Sequence, residues 1–137
     1  MEVRIRQAVV EDIGVVLELW AEAKAEPTRT DNVESLTRLL DHDPGALLVA
    51  EVEGRVVGSI MGTWDGWRGS VYRLVVHPAQ RRRGIARRLL SEAEVRLTGL
   101  GAKRLQAVVV ESDDHALLYW RASDWCEQAE RVRFVKG

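Results

Sequence analysis

Five arginines cluster between positions 81 and 88 of the 137-residue sequence, at Arg81, Arg82, Arg83, Arg87 and Arg88. Residues 71–76 before them are mostly apolar and predict a buried strand, whereas apolar residues after Gly84 recur at helical spacing. The first turn of a helix has N–H groups without intrahelical partners at the positive end of the helix dipole. Arginine adds bidentate contacts to phosphate, and Gly84 and Ala86 leave space for it. The pattern therefore predicts a site for a phosphorylated ligand.

The rest of the sequence excludes P-loop and dinucleotide-binding proteins and argues against a nucleic-acid partner. Neither G-x-x-x-x-G-K-[ST] nor a helix-opening G-x-G-x-x-G is present, which excludes P-loop and dinucleotide-binding proteins. The 20 Lys and Arg residues are balanced by 21 Asp and Glu residues, for a net charge of −1. No aromatic residues are interleaved with the arginines, so we expect no nucleic-acid partner.

The composition predicts one globular domain over residues 1–137. Hydrophobic residues make up 46% and charged residues 30% of the chain, which suffices for a core without disulfides. Cys126 is the only cysteine, and His42, His77 and His115 are too scattered for a metal site. There is no apolar run long enough to span a membrane and no apolar signal segment, so we expect a cytoplasmic protein without membrane association.

Hydrophobic periodicity predicts elements in the order β α α β β β α β α β, which indicates an α/β fold with a mixed sheet. The predicted strands lie near residues 3–8, 46–52, 56–62, 71–76 and 105–110, with one or two more in residues 125–135. The predicted helices begin near Asp12, at Asp31 or Asn32, at Gly84, and at Ser112 or Asp113.

A glycine-flanked loop over residues 63–69 carries two indoles, a carboxylate and a guanidinium, which is unusual for a simple connection. We expect Trp64, Trp67 and Arg68 to contact a substrate, and Asp65 lies among them. Trp20 completes the apolar face of the first helix, so both a core position and a substrate wall are open for it.

The arginine segment resembles a motif of the GNAT superfamily of acyl-CoA-dependent N-acetyltransferases. The run Arg81-Arg82-Arg83-Gly84-Ile85-Ala86 matches the pyrophosphate motif [RQ]-x-x-G-x-[GA] of that family, and Val76-His77-Pro78 matches its V-x-P. Near the C-terminus, Asp113-x-x-Ala116-x-x-Tyr119-Trp120-x-x-x-Asp124-Trp125 is similar to N-x-x-A-x-x-L-Y-x-x-x-G-F. The resemblance implies a sheet of six to seven strands, about four helices, and splayed fourth and fifth strands.

The resemblance also implies direct attack of an amine on acetyl-CoA, through a tetrahedral intermediate. The pantetheine arm of acetyl-CoA would lie between the fourth and fifth strands, and its pyrophosphate on the arginine turn. No metal takes part, and a homodimer is a family expectation. The residues implied in binding acetyl-CoA are Leu74, Val75, Val76, Arg81, Arg82, Arg83, Gly84, Ile85, Ala86, Arg87, Asp113 and Trp120.

Proton transfer requires a base near the strand ends, for which Glu111 is the first candidate and Asp65 the second. Trp120 stands where the family has a tyrosine that protonates the departing thiolate, and an indole N–H does not serve as an acid. Tyr119 is adjacent, but one helical residue turns a side chain by about 100°. This departure leaves a non-catalytic acyl-CoA sensor as the alternative to an enzyme. The expected substrate contacts are Trp20, Trp64, Trp67 and Arg68.

Overall fold

The structure, a computed structural model, describes residues 2–137 in two units. The larger unit extends to Ala107, and the smaller one covers residues 108–137. The larger unit contains strands β1 (Val3–Gln7), β2 (Leu47–Val52), β3 (Arg55–Trp64), β4 (Gly69–Val76) and β5 (Leu105–Ala107), and helices α1 (Ile13–Glu22), α2 (Val33–His42) and α3 (Ile85–Leu100). The smaller unit contains helix α4 (Asp114–Ala122). The single domain over residues 1–137 stays a prediction.

The five strands form one mixed sheet in the order β1-β2-β3-β4-β5. The first four strands pair antiparallel, and β5 pairs parallel with β4 because α3 carries the chain back across the sheet. The β2–β3 turn has positive φ at both Glu53 (52°) and Gly54 (77°), as a two-residue hairpin turn requires. The predicted α/β class, the mixed sheet and the four helices are confirmed.

The number of strands is lower than predicted. Residues 123–137 contain no strand, although Val132 and Phe134 alternate with arginines, and both side chains are exposed. The fifth strand ends at Ala107 instead of continuing to residue 110. Alternation predicts which face a strand would bury, but a strand also needs a hydrogen-bonded neighbour, which the local sequence does not specify.

Helix α3 packs closely against β3 and thereby fixes the position of its own first turn. A Cβ atom built on Gly58 of β3 would lie 3.1 Å from Leu89 Cδ1 and 3.3 Å from Ile85 Cγ2. Ile85 and Leu89 are both fully buried on the inner face of α3. The start of α3 is therefore held next to the end of β4, where the arginine turn begins.

Arg6 of β1 forms ion pairs with two carboxylates and joins the first strand to the turn before α1. Its Nη1 and Nη2 donate to the Asp12 carboxylate at 2.7 and 2.8 Å, and its Nε donates to Glu51 Oε1 at 2.5 Å. The hydrogen bonds from Arg6, with a further one from the Val9 N–H, hold the pKa of Asp12 below its usual range. Asp12 therefore stabilises the fold above its unfolded pKa of about 3.8, and this contribution is lost as the pH falls through the lower folded pKa.

Replacing Asp12 with asparagine is expected to lower the free energy of unfolding at about pH 6 by roughly 1.5–3 kcal/mol, because a charge-assisted hydrogen-bond pair is lost. At about pH 2 the difference from the wild type should be smaller, because protonation of the wild-type carboxyl increases as the pH falls toward and through its lowered folded pKa. Urea denaturation at the two pH values measures both quantities. Glu34→Gln, which breaks an exposed pair with Arg38, is the control and should change little at either pH. An equal loss for Asp12→Asn at both pH values would contradict the assignment.

Candidate active site

The arginine turn, residues 77–84, connects the end of β4 to the start of α3. Arg82 and Gly84 both have left-handed backbone conformations, with φ of 66° and 76°. Gly84 is the N-cap of α3 and provides no side-chain hydrogen bond to the first helical turn. A Cβ atom on Gly84 would meet nothing within 4 Å. The first turn of α3 thus has uncapped N–H groups beneath open space, as an anion site requires.

The five clustered arginines, three in the turn and two in the first turns of α3, differ in their contacts. Arg82, Arg83 and Arg87 are exposed and Arg81 is half-buried. Arg88 instead donates from Nη1 to the Val3 carbonyl oxygen at 2.8 Å, which attaches α3 to β1. The side chain of Ile85 is buried in the core, so only its backbone is available to a ligand. The four arginines other than Arg88 are the candidates for binding an anion.

The backbone amides of β4 change direction within the strand. The Gly69 N–H donates to the Arg104 carbonyl at 3.1 Å, on the β5 side, whereas the His77 N–H donates to the Val57 carbonyl at 2.8 Å, on the β3 side. Residues an even number apart in a regular strand direct their amides to the same edge, so one extra residue lies between them. The strand register locates it: Ser59 pairs with Val75, but Met61 pairs with Tyr72.

The extra residue forms a β-bulge around Arg73, whose φ is 55°. After the bulge, His77 faces β3, so the N–H of its neighbour Val76 faces the opposite edge. The β4–β5 ladder ends at the pair Val71–Ala107, and within the larger unit no strand pairs with that edge beyond it. Leu74 and Val75, also predicted to line the pantetheine path, lie in this same stretch of β4.

The predicted substrate loop is a tight hairpin turn, because β3 extends to Trp64 and β4 begins at Gly69. Asp65 Oδ1 accepts hydrogen bonds from the N–H groups of Trp67 and Arg68, each at 2.7 Å. These bonds, the one from Arg68 being the stronger influence, hold the pKa of Asp65 below its usual range. The carboxylate therefore stabilises the turn and is a poor proton acceptor.

The hairpin turn lies at the start of β4, whereas the arginine turn follows its end. The β3 residues that pair with its two ends, Trp64 and Gly58, are six steps of about 3.3 Å apart, so the ends of β4 are separated by roughly 20 Å. The structure therefore does not bring Asp65, Trp64, Trp67 and Arg68 to the arginine turn. Trp64, Trp67 and Arg68 instead line an open cavity of about 380 Å³, together with Gly66, Gly101, Lys103 and Arg104. The Arg68 guanidinium carbon lies 4.0 Å from the centroid of the exposed Trp67 ring.

Trp20 belongs to the core. The sequence left open whether it packs in the core or forms a wall of the substrate site, and the structure shows the core position. Its side chain is 4% exposed, and its Nε1–H donates to Ser59 Oγ at 2.8 Å. It therefore forms no solvent-facing substrate wall, and the expectation that Trp20 contacts the substrate is corrected to a core position.

The smaller unit carries four of the predicted site residues. Glu111 is exposed in the turn before α4. Asp113 caps that helix, because its Oδ1 accepts a hydrogen bond from the Ala116 N–H at 3.0 Å. The Trp120 ring lies edge-to-face with Tyr119 (5.8 Å between centroids) and with Trp125 (5.0 Å). These contacts hold the indole among aromatic rings, and the roles of Glu111, Tyr119 and Trp120 in catalysis or binding stay predictions.

A contact that the sequence did not indicate joins α1 to the arginine turn. His77 Nε2 lies 2.8 Å from Glu22 Oε2, and His77 Nδ1 accepts the Ala79 N–H at 3.1 Å. Because Nδ1 is the acceptor, the neutral ring carries its proton on Nε2 and donates it to Glu22. Both ring nitrogens are thus engaged in contacts that hold the arginine turn. The two side chains are 55 positions apart, so no local pattern relates them.

Residues 2–137 contain neither a candidate membrane-spanning helix nor a candidate metal-binding cluster. Nowhere in that range does a helix have the length and apolar character needed to cross a membrane. Over the same residues, no three His, Cys, Asp or Glu side chains lie close enough together to hold a metal ion.

Comparisons with known proteins agree with this geometry. The family model described as "Acetyltransferase (GNAT) family" matches residues 15–124. An acetyltransferase of Yersinia pestis (strain Pestoides F) is 40% identical over 125 residues, which cover 91% of this chain and 87% of that protein. An acetyltransferase of Pectobacterium atrosepticum is 42% identical over 114 residues, covering 83% and 79%.

The fold is also that of a solved N-acetyltransferase. The crystal structure of the PaiA N-acetyltransferase from Thermoplasma acidophilum, in complex with coenzyme A, superposes with a TM-score of 0.78 at 17% identity. The match covers 89% of this chain and 88% of that one. The family model, the two relatives and the mixed sheet with its β4–α3 arginine turn together show that this chain belongs to the GNAT family of acetyltransferases.

Proposed function

We propose that this acetyltransferase moves the acetyl group of acetyl-CoA to a primary amine by direct attack. The observation that carries the proposal is the uncapped first turn of α3 beneath the open Gly84, among exposed arginines. A pyrophosphate fits such a site because the N–H groups and guanidinium groups supply both hydrogen bonds and positive charge. The Thermoplasma acidophilum relative, which shares the fold, was crystallised with coenzyme A.

The residues of the turn fit acetyl-CoA in several ways. The backbone of residues 84–86 would hold the pyrophosphate, with charge supplied by Arg81, Arg82, Arg83 and Arg87. Gln80 adds a buried side-chain oxygen that has no hydrogen-bond partner among the described residues, and a bound donor group would satisfy it. Acetyl-CoA itself supplies the thioester whose carbonyl carbon the amine attacks.

The open edge of β4 supports the next step. The Val76 N–H, which faces away from β3, would donate to the thioester oxygen as that oxygen becomes negative in the tetrahedral intermediate. The amine nitrogen forms a bond to the carbonyl carbon and gives up a proton to a base, for which we propose Glu111. Collapse of the intermediate breaks the C–S bond and releases the thiolate of CoA and the amide.

Trp120 is compatible with this chemistry. An alkyl thiol has a pKa of about 8.5, so its thiolate departs far more readily than an alkoxide and can take its proton from water. The reaction therefore needs no tyrosine at position 120. Tyr119, on the same helix, stays the candidate if an acid takes part.

Acetyl-CoA is expected to raise the melting temperature by several degrees, since a ligand at 100 times its Kd stabilises the fold by about 2.7 kcal/mol. Acetylpantetheine, which carries the same thioester without the nucleotide and pyrophosphate, should give little stabilisation. Differential scanning fluorimetry makes this comparison. Equal stabilisation by both compounds would contradict the assignment of the pyrophosphate to the arginine turn.

The activity itself is tested by thiol release from acetyl-CoA across a panel of polyamines, aminoglycosides, amino acids and lysine-containing peptides. Release with at least one amine, and formation of the matching amide by mass spectrometry, are expected. Tight binding of acetyl-CoA with no release across the panel would favour a sensor over direct transfer to a primary amine.

A further inference from the structure

The bulge in β4 is formed by a residue that is not suited to its backbone conformation. Arg73 has a φ of 55°, a left-handed conformation that is unfavourable for a residue with a Cβ atom. Such conformations persist where surrounding contacts determine them, and they concentrate at functional sites. The contacts of Arg73 therefore identify what holds the bulge in place.

Ser59 holds the backbone of the bulge. Its hydroxyl donates to the Arg73 carbonyl oxygen at 2.9 Å and accepts the Trp20 Nε1–H at 2.8 Å. Ser59 is fully buried, and among the described residues it is the only polar side chain in the buried core. A buried hydroxyl with both its donor and its acceptor satisfied fixes the Arg73 carbonyl in one direction.

The side chain of Arg73 attaches the bulge to the segment between α1 and α2. Its Nη2 donates to the Glu26 carbonyl oxygen at 2.9 Å and forms an ion pair with Asp31. The Arg73 and Asp31 side chains are only 17% and 16% exposed, so the pair is shielded from solvent. The guanidinium carbon also lies 5.1 Å from the Trp20 ring. Trp20 of α1 therefore contacts both residues that hold the bulge: it donates to Ser59, and its ring lies next to the Arg73 guanidinium.

We propose that Ser59 and Arg73 are positioning residues that determine which amide of β4 faces the thioester, and that Asp31 holds them in register. The proposal rests on the function proposed above. The bulge reverses the alternation of the amides once, so Val76 directs its N–H to the open edge, as does Leu74 two residues earlier. Without the bulge, every later residue of β4 would be turned by one position, and the Val76 N–H would face β3 instead. The segment between α1 and α2 is thereby linked to the amide that stabilises the oxyanion.

Three variants test the proposal. Ser59→Ala removes the hydrogen bonds that Ser59 forms with Trp20 and with the Arg73 carbonyl, and Asp31→Asn removes the negative charge of the ion pair with Arg73. Arg73→Gly relieves the left-handed strain but deletes the guanidinium. For Ser59→Ala and Asp31→Asn, kcat is expected to fall about tenfold or more. This loss is smaller than that from deleting an oxyanion donor, because the amide is misdirected and not removed. The Kd for CoA should stay within about twofold of the wild-type value. Arg73→Gly should behave like Asp31→Asn. Glu34→Gln on α2, which breaks an exposed ion pair, is the matched control and should keep the wild-type kcat.

A second readout does not depend on the acceptor. Acetonyl-CoA carries the carbonyl group but cannot be cleaved, so replacing CoA with it should shift the ¹⁵N–¹H resonance of Val76 in the wild type. In Ser59→Ala and Asp31→Asn this difference is expected to shrink or move to another residue of β4. Wild-type kcat together with a wild-type Val76 shift in these variants would overturn the proposal. Loss of CoA affinity in the variants in proportion to lost stability would overturn it too, because the residues would then be structural only.

The two failures are distinguishable. If the wild type binds neither CoA nor acetonyl-CoA, the function proposed above fails, and the positioning role fails with it. If the wild type binds both compounds and only the variants behave unexpectedly, the positioning role alone is wrong.

Discussion

Replacing Gly84 with aspartate is expected to weaken acetyl-CoA binding by at least about 100-fold. Gly84 has a φ of 76°, so a residue with a Cβ atom is strained there by about 1–2 kcal/mol. The new carboxylate would also occupy the open space above the first turn of α3 and repel the pyrophosphate. Lost charge-assisted hydrogen bonds weaken binding by about 1.5–3 kcal/mol, and the repulsion adds to this loss, whereas the backbone strain lowers the stability of the fold. Isothermal titration calorimetry with acetyl-CoA measures the effect.

Gly54 in the β2–β3 turn provides a control for the backbone strain alone. Its φ is 77°, and a Cβ atom on it would also meet nothing within 4 Å. Gly54→Asp should therefore lower the melting temperature about as much as Gly84→Asp while leaving acetyl-CoA affinity at the wild-type value. If the two variants lose affinity equally, the loss reflects destabilisation, and the arginine turn is not the pyrophosphate site.

Replacing Glu111 with glutamine is expected to lower kcat about 100-fold or more with little change in the KM for acetyl-CoA, because general-base catalysis is lost. Asp65→Asn, the matched carboxylate-to-amide change, should retain the wild-type rate. Asp65 accepts hydrogen bonds from two backbone N–H groups in the hairpin turn. This turn lies at the opposite end of β4 from Val76, so Asp65 is far from the proposed position of the thioester. Steady-state thiol release with the best amine of the panel gives both constants.

The opposite outcomes are informative. A full rate for Glu111→Gln would remove it as the base. A large loss of kcat for Asp65→Asn, with an unchanged melting temperature, would show that the hairpin turn reaches the thioester after all.

The parts of the fold that depend on local chemistry were predictable from the sequence. Asn32 caps α2 by accepting the Ser35 N–H at 2.8 Å, as its residue type and position indicated. The arginine turn was predictable for the same reason, because Gly84 and the flanking strand and helix are encoded within about 20 consecutive residues.

The parts that depend on distant residues were not predictable. The bulge has an arginine at its left-handed position instead of the glycine that would have indicated it, and a buried serine 14 positions away stabilises it. The position of Asp65 also depends on tertiary structure: only the length of β4 shows that it lies at the far end of the strand. The missing strands of residues 125–135 would have needed a pairing partner that alternation does not identify.

The hairpin turn at residues 65–68 has a consequence for how the protein can change. It is a short, exposed connection whose conformation depends on its own Asp65, and it lies roughly 20 Å along β4 from the arginine turn. Exposed turns of this kind are where chains accept insertions and new termini most readily. The hairpin is thus a natural attachment point, where a peptide, a fluorophore or a second domain can be added while the acetyl-transfer machinery is left intact.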